Sequence, residues 1–248
     1  MNKQVRTIFL AGSIAALIAA VLLVLLMLWA KHSTLEAMKY AQRVRNLKAI
    51  YVALVYYSDE HGGLPAASST AEVAGPAHSW RVLLLPFLDR ESLYSKVNLN
   101  EPWDGQANRQ LLGEMPENYR SPMVDDKRST QANYFAVTGP HAPWWRGKVT
   151  KPPTSSGSKE ILLVELPGSK TPWMEPYDPT LEELLDMLRP QAGPSGAGVG
   201  ITEILCITVH GEVKTVSVKT DRELLRNVFL ESPQKSNTVE PEENIQSR

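Results

Sequence analysis

From residue 7 to residue 30 no side chain carries a charge: TIFLAGSIAALIAAVLLVLLMLWA. At a rise of ~1.5 Å per residue, a helix of that length exceeds a hydrocarbon core of ~30 Å, so the stretch predicts a membrane span. Helical spacing continues over residues 31–61. Tyr40, Val44, Leu47, Tyr51 and Leu54 recur at steps of four, three, four and three, with Gln42, Arg45 and Asn46 opposite. Over residues 49–57 (AIYVALVYY) the polar face disappears. A helix apolar all round predicts burial all round; a β-strand is the competing reading, and the continuing period favours the helix. Ser33-Thr34-Leu35-Glu36 has capping-box spacing and predicts a fresh helix start, with a bend, just outside the bilayer. Gly62-Gly63 ends the run.

Beyond it, residues 64–76 read as a surface loop. Residues 79–94 (SWRVLLLPFLDRESLY) predict helix bent or divided at Pro86, and residues 106–115 a further short helix. Residues 133–138, 159–166, 202–209 and 212–218 are short, β-rich and bounded by turn residues, which predicts four strands. His210-Gly211 joins the last two as a hairpin. Thr180-Leu181-Glu182-Glu183 and Thr220-Asp221-Arg222-Glu223 each predict a capped helix. The tail from 232 is polar and predicts disorder. The organisation expected is a tail (1–6), a span (7–30), an amphipathic stalk (31–61), an α+β domain (62–231) and a C-terminal tail (232–248), with an antiparallel sheet packed on the stalk.

Charge sharpens this picture. The first 48 residues hold seven Lys/Arg against Glu36 alone, a charge of +6, so within a total of −1 the remainder carries −7. A basic zone beside the span suits anionic lipid headgroups as partner, and an acidic body argues against nucleic acid. The apolar run is longer than a signal peptide's 7–15 residues, and Leu28-Trp29-Ala30 lacks the small residue of a cleavage site, so a retained anchor is expected. Trp29 falls where indoles favour the membrane interface. Counting cations on the two flanks puts the large domain in the cytoplasm. The single cysteine, Cys206, excludes an internal disulfide and sits in an apolar run, as an inert thiol would.

Several stretches together carry a likeness. They are Asn46-Leu47-Lys48-Ala49-Ile50, Gly62-Gly63-Leu64-Pro65, residues 79–88 (SWRVLLLPFL), Asn100-Glu101-Pro102-Trp103-Asp104, Met115-Pro116 and Tyr119-Arg120-Ser121-Pro122. Asn133-Tyr134, Val137-Thr138-Gly139-Pro140, Val164-Glu165, Pro172-Trp173 and His210-Gly211-Glu212-Val213 complete the set. In this order the chain resembles the pseudopilin-like proteins of the domain of unknown function 1559 family. The resemblance implies a helix that crosses the inner membrane with its N-terminus inside and packs into an antiparallel sheet outside the cytoplasm. It also implies a place in an envelope or secretion-like protein assembly. The chain departs from the pattern at the span, where Gly12 is followed by Ser13-Ile14-Ala15-Ala16-Leu17 rather than by Phe-Thr-Leu and an acid. It departs again at Ser121, in place of a cysteine, and at His210-Gly211, in place of Asp-Gly.

Candidate chemistry is sparse. The glycines of residues 196–200 follow a helix and precede a strand, the reverse of a dinucleotide fingerprint. Asp125-Asp126 with Glu117 lacks the alternating ligands of a calcium loop. The histidines (His32, His61, His78, His141, His210) have no metal-ligand spacing. Ser195 lacks a nucleophile elbow, and Cys206 lacks a basic neighbour. Glu165 closes an apolar strand and is expected in a structural ion pair with Arg81 or Arg120. Trp144-Trp145-Arg146 in a proline-flanked loop are the candidate partner-binding residues, unless the indoles fold back over the sheet. The expectation is therefore a non-enzymatic membrane-anchored structural or interaction protein with no cofactor. The alternative is a membrane-tethered ligand-binding module with a pocket bounded by Trp80, Trp103, Trp144 and Trp173.

Overall fold

The structure, a computed structural model, describes residues 3–66, 76–139, 142, 144, 160–188 and 202–230, with side chains from residue 14 onward. It divides into two units, Met1–Arg45 and Asn46–Arg248. The division falls inside the first helix, α1 (Lys3–His61), which runs unbroken for 59 residues. The bend expected at Ser33 is absent. Thr34 Oγ1 donates instead to the Ala30 carbonyl four residues back, at 2.9 Å, as a mid-helix threonine does. Part of α1 is long and apolar enough to cross a membrane, and none of that window is buried.

In the second unit α1 is amphipathic by environment rather than by composition. Leu47, Ile50, Ala53 and Leu54 are fully buried, whereas Val52 is 48% and Tyr56 61% exposed. This corrects the expectation of burial all round. The domain covers one side of the helix, and Lys48, Val52, Tyr56 and Asp59, at steps of four, four and three, fall on the other. Helix and not strand is the outcome for residues 49–57.

The fold class is α+β. Four strands, β1 (Tyr134–Ala136), β2 (Ile161–Glu165), β3 (Glu203–Thr208) and β4 (Val213–Ser217), form one antiparallel sheet in the order β1-β2-β3-β4. Every position of β2 is buried, so both its faces are covered, which is why residues 161–164 read as an apolar run up to Glu165. At the outer strand β4 only Val216 is buried. The β3–β4 connection presses on α1. Gly211 has φ +77°, and a Cβ there would stand 2.6 Å from the Tyr51 ring, so both backbone and space require glycine. Tyr51 Oη donates to the Val209 carbonyl at 3.1 Å, fastening the turn to the stalk.

The remaining helices are short. Ser79 caps α2 (Trp80–Leu83), Pro86 opens a 3-10 turn (Pro86–Leu88), and Asp89 at φ 56° redirects the chain into α3 (Glu91–Tyr94). Pro86 therefore divides the expected helix. The helix expected at 106–115 is cut to α4 (Gln106–Arg109) and a 3-10 turn (Leu112–Glu114). Thr180 and Glu183 form a full capping box on α5 (Leu181–Met187). For α6 (Arg222–Leu230) the capping oxygen is that of Asp221, which accepts the Glu223 N–H at 2.9 Å. α6 packs on β2 and on α5, with Arg222 and Arg226 both reaching Glu182, at 3.0 and 2.8 Å. The glycine run 196–200, Ser195 and the tail from 232 lie outside the described residues.

Candidate functional site: a buried arginine and its carboxylate

The Ser79 cap fixes the start of α2, so that Arg81 enters the interior beside β1 with no exposed surface. A buried guanidinium must find partners for its fork of donors. Arg81 Nε and Nη2 both donate to the Tyr134 carbonyl, at 3.1 and 2.8 Å. Nη1 donates to Ser79 Oγ at 3.0 Å, and Nη2 also donates to Asp178 Oδ1 at 2.9 Å. The cation lies over two rings, 4.5 Å from the Trp80 centroid and 4.7 Å from that of Phe135.

Asp178 is equally enclosed. Its Oδ1 accepts the Ala136 N–H at 2.7 Å and its Oδ2 accepts Trp80 Nε1–H at 2.8 Å. Burial pushes its carboxyl up to about 6, against the pull of Arg81 and of the Ala136 and Trp80 donors. Burial likewise raises the Tyr119 hydroxyl, opposed by Arg81, and that hydroxyl donates to the Arg81 carbonyl at 2.8 Å.

A perturbed carboxyl is a marker of functional sites, but catalysis needs a substrate within reach. Here both side chains have zero exposure, and every named partner lies within the domain. The arrangement ties α2, β1 and the segment before α5 together. Its chemistry is that of a brace.

Of the two arginines expected beside Glu165, Arg81 pairs with Asp178, and Arg120 Nη1 pairs with Glu117 at 2.7 Å. Glu165 is fully buried, opposite Tyr134 in the β1–β2 register. Its Oε1 accepts from the Tyr134 hydroxyl at 3.3 Å, and that hydroxyl accepts from Asn46 Nδ2 at 3.2 Å. The Arg81 head is held by the Tyr134 carbonyl.

Trp144 also departs from the surface reading. It is 1% exposed, its Nε1–H donates to the Pro65 carbonyl at 2.7 Å, and its ring lies 5.5 Å from that of Trp80. It has folded inward, the other outcome considered for this loop. Trp145 and Arg146 lie outside the described residues. Trp80 meets Tyr119 edge-on at 6.1 Å, and Tyr119 stacks on Trp173 at 6.2 Å. The indole N–H of Trp173 goes to the Leu112 carbonyl at 3.1 Å. Three of the four indoles proposed as pocket walls are thus core, with their N–H groups already used.

Among the described residues no three of His, Cys, Asp or Glu stand together as a metal site would require. Asp126 is exposed, and its Oδ1 accepts the Arg128 N–H of its own loop at 2.9 Å. Cys206 is buried in β3.

A family model described as "Protein of unknown function (DUF1559)" matches residues 36–176. Neither the curated proteins nor the solved structures include a significant match.

Proposed function

The chain belongs to the DUF1559 family of proteins of unknown function, and from that premise we propose that it is a membrane-anchored, non-enzymatic, pilin-like structural or interaction protein. Its setting is the inner membrane, with the domain outside the cytoplasm and lipid and a protein assembly of the envelope as partners. One observation carries this reading: a single helix holds a bare apolar stretch near its start and then supplies Leu47, Ile50 and Leu54 to the domain core. The inward direction of Trp80, Trp144 and Trp173 favours an interaction role over a ligand pocket.

The test is photo-crosslinking in cells from the exposed positions Val52 and Tyr56, together with reporters fused after Leu230. Protein adducts confined to the membrane fraction, with an active periplasmic reporter, support the proposal. A soluble product without adducts, or a fluorescent cytoplasmic reporter, contradicts it.

A further inference from the structure

We infer that Ser33-Thr34-Leu35-Glu36 is a latent break in α1, a hinge that carries its own cap. The structure uses these residues in the straight form: Thr34 Oγ1 donates to the Ala30 carbonyl, and Lys39 Nζ reaches Glu36 at 3.2 Å. Their spacing serves a second form better. With the backbone opened between His32 and Ser33, Ser33 Oγ accepts the Glu36 N–H and the Glu36 carboxylate accepts the Ser33 N–H. Lys31 then closes the first segment and Glu36 lies in the first turn of the second, the signs that the helix dipole favours at each end.

Little holds the straight form at this point. Every side chain from 31 to 38 is exposed, so backbone bonds carry the helix without packing. His32, Ser33 and Thr34 are all modest helix formers. Restarting a helix carries a factor of about 10⁻³. A capping box recovers about tenfold of that, which puts the broken form at about one copy in a hundred. The break frees the direction of the stalk from that of the preceding apolar segment, and a partner that prefers the bent form draws on this minor population.

The inference takes its setting, though not its chemistry, from the membrane-anchored reading. The test is hydrogen exchange at the amides of Thr34 and Leu35, which the broken form leaves unbonded, in the full-length protein in lipid nanodiscs. Ser33→Val matches serine in helix propensity but cannot cap. It is expected to slow exchange at these amides about tenfold and to leave those of 47–54 unchanged. Ser33→Asp, which keeps a capping oxygen, should exchange like wild type. Thr34→Pro, with proline at the first position of the second segment, should hold the break open and exchange fastest. Equal exchange in wild type and Ser33→Val overturns the hinge. Protein that stays out of the discs overturns the anchoring instead, and the same comparison then decides the hinge in solution.

Discussion

Two stretches of α1 share one backbone and differ in everything around it. Side chains of residues 14–38 are exposed throughout, although those of 14–30 are nearly all apolar. Residues 46–58 mix Asn46, Lys48 and Ser58 among apolar neighbours, yet Asn46, Leu47, Ile50, Ala53, Leu54 and Ser58 are buried. Composition and burial run in opposite directions. The first stretch is long and apolar enough to cross a membrane and has no buried residue, while the second buries its apolar side in the domain.

Breaking the body should therefore release the second stretch and leave the first alone. The largest effect is expected from Arg81→Met, which strands Asp178 as an unpaired buried charge. A loss of about 3–5 kcal/mol in denaturant unfolding is expected, with no change in membrane fractionation. Next comes Leu54→Ala, fully buried on α1, which should cost about 2–5 kcal/mol. Val52→Ala, two residues away on the uncovered side, should stay within about 0.5 kcal/mol in the same urea titration. Equal costs at these two positions would mean that the helix is wrapped all round after all.

Gly211→Ala should cost about 1–3 kcal/mol, from left-handed backbone plus displacement of the Tyr51 ring. Tyr51→Ala in the same chain should recover part of that loss by making room, which a thermal-melt double-mutant cycle would read.

A further prediction concerns pH. Asp178 holds its proton more tightly when folded, rising from 3.8 to about 6, so its contribution to stability is complete below 3.8 and is lost as pH rises through 6. Relative to Asp178→Asn, which does not titrate, wild type should lose stability across that window and run parallel above it. A difference that grows with pH would contradict the assignment.

The strands were legible because their signals are local: short β-rich runs between glycine and proline, with KTVSV alternating. The Thr180 box was legible for the same reason. Other features depended on what lies across the fold. Which side of residues 49–57 faces water is decided by where the body sits, and nothing in AIYVALVYY records it. Asp178 is 97 positions from Arg81 in sequence, and an aspartate before a proline reads as a turn. Glu165 was expected beside Arg81 or Arg120, whereas the contact described comes from its register partner Tyr134, 31 positions away. Ser33-Thr34-Leu35-Glu36 was read as a start because the cap pattern is local, whereas the straight helix uses the same residues differently.

The most direct test of the whole account is alkaline carbonate extraction of membranes from cells making the full chain. If residues 7–30 cross the bilayer, the intact protein stays in the pellet with its amino end untrimmed. Release into the supernatant, or a product that begins beyond Ala30, would contradict the account.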